Sequence, residues 1–422
     1  MKKLLTVLVV VLTAGSLFAQ DIKFDALVRY RSEMAKNKSG MNTANFTDDL
    51  SGNSFSLMRS RLGVSLMGRN NISAYLQVQD SRMFGEEATT TDASADFFDL
   101  HQGYVLIEDF FADNNSLKIG RMELPMGNER LVGAFNWGNT GRAFDGAMFT
   151  REAEKVKFSV FGTRLSEEDP YDTFDPDEDF YGLFATFVPN STRYLNTFGF
   201  FNYDNDRMFM GPDKDKSKLL RFTTGIDYVV STQDVKYEVE FAYQTGKQMV
   251  NVLAERNKIN ALMYGGNLKY SFPQQKGSFI GLGYYTFSGD DNGSDNETNV
   301  FNTLYATNHG KYGFMDYFTN IPVHTSGLGL RDFYLSGGKT FNDEVSLLAD
   351  WHYFMSDKES VMGNSSFGNE IDLTLKVKYR DDVNFQFGGS MFFLGDIPEE
   401  NPNFDKGGMW CYAMMVYNFQ AN

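Results

Sequence analysis

The lengths of the connections, more than any motif, limit what this chain can fold into. Segments in which apolar and polar residues alternate recur along the sequence, and what joins them is sorted by size. Short connections fall at 68–71, 108–115, 151–155, 189–193, 230–234, 273–277, 342–344 and 381–383. Nine longer ones lie around 35–53, 83–96, 125–143, 166–179, 204–217, 247–259, 288–328, 358–368 and 396–408. Eight short connections alternating with nine long ones predict eighteen antiparallel strands with both chain ends on the short-turn side. A soluble sandwich or propeller also alternates, but has no reason to sort its connections by length. A membrane barrel does, with short periplasmic turns and long extracellular loops. The expected fold class is therefore all-β: a transmembrane antiparallel β-barrel of about 18 strands, a single domain over 20–422. The expected setting is the bacterial outer membrane, among lipid and lipopolysaccharide.

The alternation itself says which face meets lipid. In the 370–393 stretch, Ile371, Leu373, Leu375 and Val377 alternate with Asp372, Thr374, Lys376 and Lys378, and the pattern resumes after the "RDD" turn. A period of two puts successive side chains on opposite sides of a strand. In a membrane barrel the apolar set faces hydrocarbon and the polar set a watery lumen. Aromatics at 15% with a mean hydropathy of −0.36 suit strands greasy on one side only. The last strand fits as well: Cys411, Ala413, Met415, Tyr417 and Phe419 share one face, the pattern that barrel-assembly machinery reads, although "QAN" follows the Phe.

At the start, Lys2 and Lys3 precede an apolar run from Leu4 to Leu12, too short to span a bilayer. With Ala19 as a plausible last residue before cleavage, residues 1–19 are expected to be a secretory signal peptide. Cys411 is the sole cysteine, which excludes an internal disulfide and zinc held on cysteines. A net charge of −16 argues against nucleic acid as a partner. Acid collects in two long loops, with eight carboxylates in 166–179 and four in 288–299. Neither has EF-hand spacing, so the expectation is a solvated outer surface with at most weak Ca²⁺ binding, and no cofactor.

Inside, the first hairpin carries the most charge. Alternation sends Arg29 and Arg31 inward from one strand and Arg59 and Arg61 from the next. Setting Met34 opposite Ser54 brings Arg29 beside Arg59. Like charges facing across a ladder need counter-charge or water. Candidate partners are Asp99, Glu129 and Asp145. The cluster is either a structural ion-pair network or a constriction attracting anions. Summing inward positions gives thirteen basic residues against about seven acidic ones, an expected basic lumen. Strict alternation puts Arg121 on the lipid face, and a bulge at Gly120 is expected to turn it inward. The 288–328 loop, rich in aromatics at 301–318, is expected to fold over or into the mouth as a gate. Trp137, Trp351 and Trp410 read as interface anchors.

Catalytic signals are thin. Asp99 and His101 share a face, but no serine nucleophile accompanies them, and no Walker, dinucleotide or His/Cys metal motif occurs. No catalytic or metal site is expected.

Several segments resemble the alginate export family of outer-membrane proteins: "QVQDSRMFG" (77–85), "DLHQGYVLIED" (99–109), and above all "KIGRMELPMGNERLVGAFNWGNTGRAFDGAMF" (118–149). The segments 301–318 and 368–396 continue the likeness in order along the chain. The resemblance implies an eighteen-stranded barrel passing anionic polysaccharide or smaller solutes through an arginine-rich lumen. It nominates Arg121, Arg130, Arg142 and Asp145 as pore-lining or constriction residues. The leading expectation is a porin-like channel for small anions or anionic saccharides. A dedicated exopolysaccharide exporter and, from another class, a barrel enzyme or adhesin remain as alternatives.

Overall fold

The computed structural model describes residues 21–37, 53–86, 98–167, 177–204, 218–249, 256–293, 295–400 and 407–420. The expected signal peptide and most of the acidic 166–179 loop lie outside these residues. The wall begins with β1 (Asp21–Lys36), β2 (Asn53–Met67), β3 (Ile72–Met83), β4 (Phe98–Glu108), β5 (Asn115–Met122) and β6 (Phe144–Ala153). It continues through β7 (Val156–Ser166), β8 (Glu178–Asn190), β9 (Arg193–Asp204), β10 (Leu219–Ser231), β11 (Val235–Gln248), β12 (Asn257–Ser271) and β13 (Phe279–Phe287). A two-residue strand, β14 (Glu297–Thr298), interrupts the longest loop. The wall then finishes with β15 (Leu330–Thr340), β16 (Val345–Met355), β17 (Ser366–Lys378), β18 (Val383–Leu394) and β19 (Met409–Gln420). Each wall strand pairs antiparallel with its neighbours, and β1 pairs with β19, closing an eighteen-strand ring without an edge. Closure is what lets a sheet cross a bilayer, since no backbone donor is left facing hydrocarbon.

The eight short turns sit where the connection lengths placed them. At the first, Asn70 and Asn71 both take positive φ, as a tight hairpin turn requires. Met34 pairs with Ser54 and Arg29 with Arg59, the register set by aligning the hairpin. The outward face is apolar and uncovered: Ile371, Leu373, Phe393, Val239 and Ile280 are all exposed. Such a band is stable only against lipid.

The inward face departs from the uniform polarity expected of a watery lumen. On β6–β9, Phe144, Phe161, Phe180, Phe198 and Phe200 point inward, and loop residues pack on them. Two long loops turn into the barrel. In the 288–329 loop, Phe301, Tyr312, Met315, Tyr317, Phe318 and Ile321 are all buried, and the loop carries one turn of helix, α1 (Ile321–His324). Phe318 packs on Phe354 and Phe367, and Tyr317 on Phe392. The 123–143 loop follows it in. Backbone bonds join the two, Gly133 N–H to Tyr305 O at 2.9 Å and Tyr305 N–H to Leu131 O at 2.9 Å. Two of the three tryptophans are likewise inside: Trp137 rides the inward loop, and Trp410 donates to Glu33 at 2.9 Å. Of the expected interface anchors, only Trp351 has the outward register.

Candidate functional site

Arg29, Arg31, Arg59 and Arg61 stack on the β1–β2 wall, 3–7% exposed. Alternation delivers them there, and the hairpin register makes them neighbours. What meets them is mostly backbone. Arg29 donates to the carbonyls of Asn136 (2.7 Å) and Gly138 (2.9 Å), Arg31 to Trp137 O (2.7 Å), and Arg59 to Gly138 O (3.1 Å). Arg61 reaches Thr140 O (3.2 Å) and Gln79 (2.7 Å). The tip of the 123–143 loop thus lies on the arginines as a row of carbonyl dipoles. Gly141 is needed at its turn: its φ is 74°, and a Cβ there would sit 2.5 Å from Arg61 Nη2. Arg31 also stacks over Trp137, whose ring lies 3.7 Å from His309 on the other loop.

The carboxylates that pair with the arginines are Glu33, 2.7 Å from Arg31, and Glu123, 3.2 Å from Arg61. They are not the expected Asp99, Glu129 and Asp145. Asp99 is exposed at the start of β4, where it accepts from its neighbour's backbone, and its sequence companion His101 is buried against Glu123 at 2.8 Å. Glu129 caps the loop junction, accepting from Ala134 N–H (3.0 Å) and Thr307 Oγ1 (2.7 Å). Asp145 pairs with Arg121 at 2.6 Å on the outside of the wall. The expected bulge at Gly120 is absent: its φ is 130°, but the ladders to β4 and β6 run through it without a register shift. Arg121 therefore stays on the face of Ile119. It is one residue from the long-loop end of β5, where an outward Arg costs only about 0–1 kcal/mol. Neither Arg121 nor Asp145 lines the pore.

Arg130 and Arg142 do enter the lumen, on the inward loop. Arg130 bonds Glu240 on β11 and Tyr312 (3.0 Å), with the Tyr285 ring 3.7 Å from its guanidinium. Although burial opposes its charge, Glu240 and the two tyrosines hold it firmly protonated. Arg142 clips the loops together through Gly133, Tyr305 and Ala306 carbonyls, with no ion pair among the described residues. Lys311 donates to Asn128 O (2.7 Å) and is pushed down to about 8 by burial and by Arg130.

Acid patches answer the arginines elsewhere on the wall. Asp227, Glu238 and Glu240 cluster on β10–β11. Asp332, Asp350, Glu370 and Asp372 share the inward face of β15–β17, where His352 bonds Asp332 at 2.9 Å. Here Glu370 Oε1 accepts from Met315 N–H (2.7 Å) and seats the 288–329 loop. Gly313 makes that approach possible, since its φ is 76° and a Cβ would meet the Glu370 carboxylate at 2.5 Å. The expected basic excess is thus a segregation: base on β1–β2, acid on β10–β11 and β15–β17. Alternation placed Asp372 inward, and the same rule read on β15 and β16 would have found Asp332 and Asp350. The resemblance nominates Arg130 and Arg142 as pore-lining, and apart from it only the apolar "LVGAF" hints that 123–143 folds inward. Below the loops, toward the short turns, the lumen opens. A cavity of ≈ 520 Å³ touches Asp25, Arg61 and Gln77, and one of ≈ 400 Å³ touches Lys376, Lys378 and Gln386.

A sequence profile described as alginate export matches residues 20–411, nearly the whole chain. The chain belongs to the alginate export family. No curated protein matches it. In fold, this alginate export family member is similar to Pseudomonas aeruginosa OccK11 (OpdR), at TM-score 0.62 and 11% identity over 96% of this chain and 98% of that one. It is also similar to Acinetobacter baumannii OccAB4, at TM-score 0.61 and 10% identity over 96% and 99%. P. aeruginosa OpdK, solved with vanillate, gives TM-score 0.61 and 11% identity over 96% and 100%. Family and fold together make the protein an outer-membrane β-barrel channel.

Proposed function

We propose that this channel passes small anions or anionic saccharides past the arginine wall. The observation that carries the reading is the accounting of charge there. Among the described residues, four guanidinium groups pair with two carboxylates, Glu33 and Glu123, while Arg29 and Arg59 bond carbonyl oxygens alone. Carbonyl dipoles satisfy the donors without cancelling the charge, so two positive charges remain where the inward loops narrow the lumen. In a narrow, low-dielectric passage that charge is screened less than on a surface. It raises the local concentration of anions. The vanillate in the OpdK structure is itself a carboxylate, which agrees in kind. The test is reversal potential in a salt gradient across a planar bilayer. Anion preference supports the reading; an unselective or cation-selective pore overturns it.

The 288–329 loop acts in the same reading as a gate. It fills the lumen with six large buried apolar side chains and is held by hydrogen bonds that can be broken: Met315 to Glu370, Tyr317 Oη to Asn37 O (3.0 Å), and a reciprocal pair between Asn302 and Gln244. Deleting 300–320 raises single-channel conductance several-fold; an unchanged conductance would rule out gating. Family membership favours a second reading, dedicated export of an anionic exopolysaccharide. It predicts block of the bilayer current by polyuronate added on the short-turn side.

A further inference from the structure

Nine strands round the ring from the arginines, Asp227 and Glu240 face each other directly across the β10–β11 ladder, with Glu238 beside them. One oxygen from each of the three lies within 4.8 Å of the others. Carboxylates set opposite one another repel, so each needs a compensating partner. Glu240 has Arg130 and the Asn128 amide, and Glu238 has Asn128 and Asn267. Asp227 pairs with no cation among the described residues. Its Oδ2 accepts from Asn196 Nδ2 at 2.8 Å, while its Oδ1 is buried and accepts no hydrogen bond among the described residues, in a residue only 5% exposed. Asp227, Glu240, Asn128 and Asn196 also border a void of ≈ 30 Å³, with room for a water or a small ion.

We propose that this cluster is a Ca²⁺ site, with Asp227, Glu238 and Glu240 as its protein ligands. The donor set is all oxygen, which suits a hard cation. Two ligands of one Ca²⁺, each at about 2.3–2.6 Å, can stand no more than about 5 Å apart, and the three oxygens fit within that span. Mg²⁺ dehydrates reluctantly and is seldom held in an all-protein cage, so Ca²⁺ is the better match. The site does more than neutralise the wall. Arg130 and Asn128, which bond Glu238 and Glu240, both belong to the inward 123–143 loop, so an ion here fixes the platform on which that loop rests.

The experiment is equilibrium dialysis of folded, EGTA-stripped protein in detergent against ⁴⁵Ca²⁺, for the wild type, Asp227→Asn and Glu238→Gln. The expected result is one tightly bound Ca²⁺ per wild-type chain, lost in both variants. Weak binding by the acidic loops stays equal in all three. Folding of each variant is checked by heat-modifiable migration on gels, and should Asp227→Asn fail to fold, Glu238→Gln decides. A wild type that binds no tight Ca²⁺, as when a proton fills the gap, overturns the proposal. So does a folded variant that keeps the tight equivalent.

Discussion

The arginine wall on β1–β2 and the acidic cluster on β10–β11 pose one problem and solve it differently. Each stacks like charges on a buried face, and each is covered by the same 123–143 loop. On the arginine side the loop offers carbonyl oxygens, which satisfy donors but leave positive charge standing. On the acidic side it offers the Asn128 amide, which bonds Glu238 and Glu240, and Arg130, which bonds Glu240 and cancels its charge as well. The potential a solute meets is therefore set by what the loop supplies to the wall. One loop, laid across two walls, leaves charge standing on the first and cancels part of it on the second.

If that contrast holds, its two sides should break differently. The largest effect belongs to Arg130→Ala, which strands Glu240 in the interior. Removing one partner of a buried pair costs about 3–5 kcal/mol. Urea unfolding in detergent should show a loss of that size, and a loss below about 1 kcal/mol would mean that the acid side is not held by this pair.

Next is Lys311, the second cation of the acid side. Its pKa of about 8 lies below the ordinary value, so between pH 8 and roughly 10.4 the unfolded chain holds more protons than the folded one. Stability attributable to this group therefore rises with pH across that window, and the penalty is fully present below pH 8. Against Lys311→Met, the wild type should gain about 1–3 kcal/mol between pH 8 and 10.4. Parallel pH profiles would place Lys311 outside the acid side's balance.

On the basic side, Arg29→Gln with Arg59→Gln keeps amide donors for the loop carbonyls but removes the two charges that no carboxylate cancels. The anion-to-cation permeability ratio should fall about tenfold, roughly 1.4 kcal/mol, with folding little changed. An unaltered ratio would make these arginines mere docking posts for the loop. The smallest effect is the control: Lys276 and Asp343 pair at 2.8 Å on exposed turns, and Lys276→Ala should change neither stability nor selectivity.

The barrel was legible because its constraints are local and repeated. Connection lengths gave strand number, and period two gave the facing of Arg29, Arg59 and Asp372. The loops were legible only in part. The aromatic run of 301–318 had to be buried somewhere, whereas the polar "GNER" in front of "LVGAF" masked the same fate for 123–143. Partners failed for a related reason. Charge alone nominates Asp145 as a partner, and the bulge expected to turn Arg121 inward does not form, so each stays on the face its strand's phase sets. Glu33 and Glu123, which do pair with the arginines, sit one inward step along β1 and one residue beyond β5. Backbone carbonyls, the main partners of the wall, have no sequence signature at all.

Closure of the ring by β1 against β19 also bears on how the molecule is assembled. The seam joins the two ends of the wall, so it is the pairing with the largest entropic barrier and the last that the chain can supply. Arg29 and Arg31 lie on the seam strand and grip a loop that emerges between β5 and β6. Trp410, on the other seam strand, reaches across to Glu33. The strands that seal the wall are thus the ones that hold the loop, so errors in seating the loop become errors in sealing the wall. Variants that loosen the 123–143 tip should accumulate as unclosed sheets during insertion, well before any defect in transport could be measured.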